Sequence, residues 1–174
     1  MRLETKRLIL RKPEERDTED YLQFCNSEFV LRYNAMTPRG EADVRQRFSR
    51  EQDGSTLLLQ LKETGRVIGE IGIEDDSVRW GVASKELTYM ISQAYSRRGF
   101  MKEALGAVID YLFREENLEC VSARCFAPNE ASLALLRSLG FHQDGYIPRC
   151  VKGYGDRIFD DTLHSLFCED FLSR

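Results

Sequence analysis

Residues 101–116, MKEALGAVIDYLFREE, limit the possible folds most sharply. Ala104, Leu105, Val108, Ile109, Leu112 and Phe113 recur at helical spacing and make a wide apolar stripe. A helix with so broad a stripe is stable only when that face packs on another layer. Strand signals on either side supply the layer. STLLLQLKE, VIGEIGIED and KELTYMIS precede the helix and CVSARCF follows it. A turn at Thr64-Gly65 separates the first two runs, and a loop holding Trp80 and Gly81 precedes the third. At the start of the chain, TKRLILRKP sets Leu8 and Leu10 against Arg7, Ile9 and Arg11, a strand ended by Pro13. Asp17 is placed to cap a helix through DTEDYLQFCNSEFV, and EADVRQRFSREQ reads as a second, more polar helix. PNEASLALLRSLGF is a capped helix, with Asn129 at its start and Gly140 as its left-handed stop. Two strands, around Tyr146 to Lys152 and Arg157 to Cys168, close the chain about the turn KGYGDR. This order predicts an α/β protein with a mixed, mostly antiparallel sheet, whereas a repetitive βαβ nucleotide fold would alternate more regularly. No repeat, low-complexity tract or linker divides the chain, so residues 1–174 read as a single domain.

Composition removes several classes of function. A chain of 174 residues with 42% hydrophobic and 31% charged content can bury a core of ordinary size. Its formal net charge of −4 argues against a nucleic-acid partner, which calls for a basic excess. No apolar run approaches the roughly 20 residues of a membrane span. The N-terminal MRLETKRLILRKPEERD lacks the apolar core of a signal peptide. Cys25, Cys120, Cys125, Cys150 and Cys168 are scattered without a CxxC pair, so buried, inert thiols are expected, with no disulfide framework and no metal. The expected location is cytoplasmic.

One stretch conflicts with ordinary helix chemistry. In YSRRGFMKEAL, Tyr95 to Leu105, the cations Arg97, Arg98 and Lys102 sit where a capping carboxylate would usually stand. Cations at the positive end of a helix are unfavourable by about 0.3–1 kcal/mol each, and a bound anion reverses that sign. Gly99 lets the backbone approach such an anion without a Cβ in the way. The stretch is no nucleotide P-loop, since GxxxxGK[ST] is absent, and Met101 occupies the place of the second glycine of GxGxxG. Alone, it is consistent with a phosphate-binding module of any kind.

Combined with its neighbours, the stretch resembles the GNAT superfamily of acyl-CoA-dependent N-acetyltransferases. Ser96-Arg97-Arg98-Gly99-Phe100-Met101 looks like that family's pyrophosphate signature, (Q/R)xxGx(G/A). Asn129, Ser132, Leu135, Leu136, Gly140 and Phe141 look like its NxxSxxLLxxxGF element. TKRLILR, RVIGEIGI and DDTLHSL are similar to the branch that includes bacterial ribosomal-protein N-terminal acetyltransferases. Ser96 and Met101 depart from the signature, and Leu136 stands where many relatives carry a tyrosine acid.

The resemblance implies a fold whose central sheet is splayed in the middle and flanked by helices, with acetyl-CoA as co-substrate and an amine as acceptor. The acceptor would be a ribosomal-protein N-terminus or a small molecule, and the enzyme a monomer or homodimer. It further implies that Met90 and Ile91 hold the pantetheine arm through their backbone, Ile91 also polarising the thioester carbonyl. Ser96, Arg97, Arg98, Gly99, Phe100, Met101 and Lys102 would hold the pyrophosphate, with Asn129 and Ser132 also binding cofactor. Glu86 resembles the general base of some relatives, with Glu70 on the adjacent strand as a second candidate. Ser132 would hydrogen-bond the leaving sulfur. Asp160 and Asp161 resemble an aspartate that organises the sheet end, and Tyr33 and Trp80 lie in loops that would shape the acceptor site. A non-catalytic acyl-CoA-binding or sensing domain is the alternative on the same scaffold. Ser132 is no hydrolase nucleophile, because GxSxG is missing and neither His142 nor His164 has a motif of a partner base.

Overall fold

The computed structural model describes residues 1–51 and 54–173. In chain order it contains β1 (Leu3–Glu4), β2 (Leu8–Arg11), α1 (Thr18–Cys25), α2 (Glu28–Leu31), α3 (Glu41–Arg50), β3 (Thr56–Leu61), β4 (Val67–Asp75) and β5 (Ser84–Ile91). There follow α4 (Phe100–Arg114), β6 (Cys120–Phe126), α5 (Glu130–Leu139), β7 (His142–Lys152), β8 (Ile158–Phe167) and α6 (Cys168–Leu172). Gln52, expected at the end of the polar helix, lies outside the described residues. Among the described residues, eight strands form one sheet in the order β1-β2-β3-β4-β5-β6-β8-β7. Its neighbours are antiparallel except β5 and β6, which run parallel across the α4 crossover.

Each face of the sheet carries its own core. The α4 stripe, with Leu133, Leu136 and Leu139 of α5, packs on Leu8, Leu10, Leu57, Ile71, Leu87 and Val121. The opposite face holds Tyr21, Phe24, Val44 and Phe48 from α1 and α3 against Leu58 and Val67. Among the described residues, no helix is long and apolar enough to cross a membrane.

Several local expectations are corrected. The helix expected through residues 17–30 breaks after Cys25, because the Ser27 hydroxyl accepts from the Val30 N–H and starts α2 afresh. Asp17 does not cap α1. Its carboxylate takes both guanidinium nitrogens of Arg11, at 2.7 and 2.8 Å, and the Glu14 N–H at 2.8 Å. Arg11, expected on the solvent side of its strand, is thereby buried with Asp17. Of the five cysteines, Cys25, Cys120 and Cys125 are buried, but Cys150 is exposed on β7 and Cys168 is half-buried.

The feature that positions the site is an early end to one strand pairing. β5 and β6 pair only at Ser84↔Cys120, Lys85↔Val121 and Glu86↔Ser122. Beyond that, β5 continues along β4 as far as Gly69↔Ile91, and β6 continues along β8 as far as Phe126↔Asp161. A wedge therefore opens between residues 87–91 and 123–126. Ladder parity decides which backbone groups face it. The Ser92 N–H donates to the Ile68 carbonyl at 2.8 Å, so in the alternating antiparallel pattern Met90 exchanges bonds with its partner Glu70. Tyr89 and Ile91 then turn their N–H and C=O groups away from β4, towards the wedge. Met90, expected to offer its backbone to a ligand alongside Ile91, spends those groups on β4. The strands are close here: a Cβ added to Gly69 would lie 2.6 Å from the Met90 carbonyl oxygen.

Candidate active site

At the wide end of the wedge the chain turns into α4. Ser96 is half-buried, its hydroxyl donating to the Gln93 carbonyl at 2.8 Å. Arg97 and Gly99 adopt left-handed backbone, with φ of 57° and 78°. Turns of this kind point successive N–H groups into a concavity that suits anions. Gly99 is the N-cap of α4 and no side chain caps the helix. Phe100 and Met101 bury their side chains, which leaves their backbone for any ligand, while Arg97, Arg98 and Lys102 are exposed. This helix start therefore carries unsatisfied donors and surplus positive charge together.

Arg7 completes this corner, although its place in β2's approach marks it only as an outward strand residue in the sequence. Its guanidinium lies 4.1 Å over the Phe100 ring, donates to Glu103 at 2.7 Å and reaches the Arg98 carbonyl at 3.1 Å. Arg7 thus ties the turn before α4 to the sheet. Burial pushes the Glu103 carboxyl up, but hydrogen bonds from Thr5 and Arg7 outweigh it and hold the group below its usual range.

The wall of the wedge on the α4 side is polar. Asn129 Oδ1 accepts from the Ser132 N–H at 3.3 Å, as the expected helix cap. The Ser132 hydroxyl lies 2.6 Å from the phenolic oxygen of Tyr89. Burial drives the Tyr89 phenol well above its ordinary value, so it stays protonated. The sequence marked Tyr89 only as buried strand. Leu136, where a tyrosine acid was missed, is fully buried.

Glu86 projects from the opposite face, because side chains alternate along β5. It lines a cavity of about 160 Å³ with Arg79, Ser122, Arg124, Asp144 and other residues. Burial is the largest influence on its carboxyl and pushes the pKa up. Arg124 opposes the rise, and Glu74, Asp76 and Asp161 reinforce it. Arg124 is itself bound to Asp161 at 2.7 Å. Glu86 and Ser132 thus flank the opening between the strands from its two sides. Glu70 does not join them: Arg47 of α3 clamps its carboxylate at 2.8 and 3.0 Å, with the Tyr21 hydroxyl on the same guanidinium. Asp160 accepts from the Arg149 N–H and the Tyr146 hydroxyl towards the turn end of the β7–β8 hairpin, where the register shifts between Ile147 and Val151. Tyr33 packs edge-on against Phe126 and Phe159, whereas Trp80 is fully exposed. Among the described residues, no group of three or more His, Cys, Asp or Glu could hold a metal ion.

The frame of the site is thus a mixed sheet that parts beside an uncapped, basic helix start. Residues 7–142 match the Acetyltransferase (GNAT) domain, and the chain belongs to this family of N-acetyltransferases. It is 30% identical to the uncharacterized N-acetyltransferase p20 of Bacillus licheniformis, with 97% of each chain covered. Its fold is similar to that of the ribosomal-protein-S5-alanine acetyltransferase of Vibrio fischeri, with a TM-score of 0.84, 19% identity and 98% of each chain covered. It is also similar to spermidine N-acetyltransferase of Vibrio cholerae in complex with CoA and spermine, with a TM-score of 0.82, 17% identity and coverage of 97% and 99%. The chain is an N-acetyltransferase of a family that uses acetyl-CoA as co-substrate and amines as acceptors.

Proposed function

We propose that this enzyme transfers an acetyl group directly from acetyl-CoA to a primary amine, with residues 1–174 acting as one catalytic domain in the cytoplasm. The observation that carries the reading is the end of β5–β6 pairing after Glu86↔Ser122, at the same end of the sheet as the uncapped start of α4. A ligand with a diphosphate at one end and an amide-bearing arm at the other matches both features. The amides at Gly99, Phe100 and Met101, with Arg97, Arg98 and Lys102, would hold the diphosphate, and Ser96 would shape the turn. The outward backbone of Tyr89 and Ile91 would pair with the arm as a neighbouring strand does, helped by Asn129.

Acetyl-CoA, when bound, supplies an acetyl group activated as a thioester. The residues of the chain do the rest. An alkyl amine is mostly protonated at neutral pH and attacks only when neutral. Glu86 accepts that proton, directly or through water, and burial raises its basicity for the purpose. The Ile91 N–H is aimed into the wedge and donates to the acyl oxygen. Ser132 donates its hydroxyl hydrogen to the sulfur. The acceptor is a protein N-terminal amine, such as that of a ribosomal protein, or a small-molecule amine. Calorimetric titration with acetyl-CoA, followed by thiol release over a panel of N-terminal peptides, polyamines and amino acids, tests the reading. Saturable binding and turnover with at least one amine are expected. Absence of acetyl-CoA binding overturns it.

A further inference from the structure

We propose that Tyr89 is a positioning residue for Ser132: its phenol donates to Ser132 Oγ and leaves the serine's own hydrogen to point at the coenzyme sulfur. The proposal rests on the acetyl-transfer reading above and adds a residue to it from the strand, on the side of the wedge opposite α5.

The contact between the two oxygens, 2.6 Å, is at the short end for a hydroxyl pair and joins residues 43 apart in sequence. It spans from β5 to the first turn of α5, so it forms only when the wedge has its final width. Either oxygen could donate, and their surroundings choose. The Tyr89 ring packs against the core beneath α4, and among the described residues Ser132 is its one hydrogen-bond partner. A buried hydroxyl hydrogen without an acceptor is unfavourable, so the phenol donates. Ser132 is held from its other side by Asn129, which accepts its N–H. Cys125 lies within hydrogen-bond reach of Ser132, but burial pushes its thiol up to about 11 and it donates to the Phe126 and Asn129 carbonyls, so Ser132 gives up only a weak sulfur acceptor when it turns to the coenzyme. The thiol therefore presents no competing anion near the coenzyme sulfur.

The pair supplies a hydrogen bond and gives up no proton. Both hydroxyls keep their hydrogens, and burial keeps the phenol in its protonated, donating form at neutral pH. A donor that itself accepts a hydrogen bond is polarised into a stronger one, most of all toward a charged acceptor. With Leu136 unable to contribute a polar group from α5, this arrangement brings a phenol to the site from β5.

The test uses CoA in its free thiol form, bound to wild type, Tyr89→Phe, Ser132→Ala and the double variant. The acidity of the bound thiol is followed by the ultraviolet absorbance of its thiolate. Phenylalanine keeps the ring, so melting curves should show that Tyr89→Phe is folded. The bound thiol is expected to be about three- to tenfold less acidic in Tyr89→Phe than in wild type, the range for weakening and misdirecting one charge-assisted hydrogen bond. Ser132→Ala should lose at least as much, and the double variant no more than Ser132→Ala. With a turned-over amine, kcat should fall by the same factor while KM for acetyl-CoA holds. Equal thiol acidity in wild type and Tyr89→Phe, or losses that multiply in the double variant, overturns the role given to Tyr89 alone. A wild-type protein that does not bind CoA overturns the acetyl-transfer reading and this role together.

Discussion

Replacing Gly69 by alanine tests whether the site depends on the exact seat of β5. The added Cβ would lie 2.6 Å from the Met90 carbonyl oxygen and 3.3 Å from the Ile91 Cα. Both are backbone atoms, so neither can rotate away. Ordinary contact begins near 3.4 Å, so β5 must retreat by about 0.8 Å or distort locally. Overpacking of this kind costs about 1–3 kcal/mol. For a chain of this length that lowers the melting temperature by about 2–4 °C per kcal/mol. The retreat also carries the Ile91 N–H with it. Misplacement of a catalytic group by ~1 Å can cost ~100-fold in rate, so the folded variant should lose well over tenfold in kcat. Gly72→Ala on the same strand is the control. Its Cβ would meet the Thr88 hydroxyl, a side-chain atom that can turn aside, so a smaller loss of stability and little loss of rate are expected. Thermal melts and a thiol-release assay read both effects. Wild-type melting and wild-type rate in Gly69→Ala would refute the reasoning about β5.

Glu86→Gln should lower kcat by about 10²–10⁴ while acetyl-CoA binding holds, and should remove the limb of the pH–rate profile that rises as Glu86 ionises. Because burial raises this carboxyl's pKa on folding, its contribution to stability is present below the ordinary carboxylate range and is lost as pH rises through the folded value. The glutamine variant should therefore gain stability relative to wild type at neutral pH and not in acid, as read by melts at the two pH values. Arg98→Glu should weaken CoA binding by about 1–3 kcal/mol in a titration, and unchanged affinity would return Arg98 to the solvated surface. Asp17→Ala should cost about 3–5 kcal/mol in denaturant unfolding, because it leaves the Arg11 guanidinium buried without its bidentate partner. A near-neutral result would mean that Glu14, 3.6 Å from Arg11, takes over.

The order of elements was legible wherever a run was long and its period clear, as in α4, α5 and the strands between residues 56 and 91. It failed where one side chain overrode the period. Ser27 restarts a helix inside a continuous helical pattern, and Asp17 answers an arginine on β2 instead of the helix it precedes. In the site, motifs carried by consecutive residues could be read directly: the turn before α4, and Asn129 with Ser132. Contacts between distant segments could not. Glu70 and Glu86 are equivalent carboxylates on adjoining strands until Arg47 of α3 occupies one of them. Tyr89 meets Ser132 only through the parting of β5 and β6, which no local pattern records. The backbone role of Met90 likewise turned on ladder parity, a property of the pairing and not of the residue.

The short β5–β6 pairing divides the sheet mechanically. Among the described residues, five strands on one side and three on the other are stitched by a seam three residue pairs long. Anything laid in the wedge adds a second row of stitches along the same seam. Such a ligand acts as a structural member as well as a reactant, so occupancy should stiffen the joint between the two half-sheets. Amide exchange at Tyr89 and Ile91 would report that stiffening even before the acceptor amine is known.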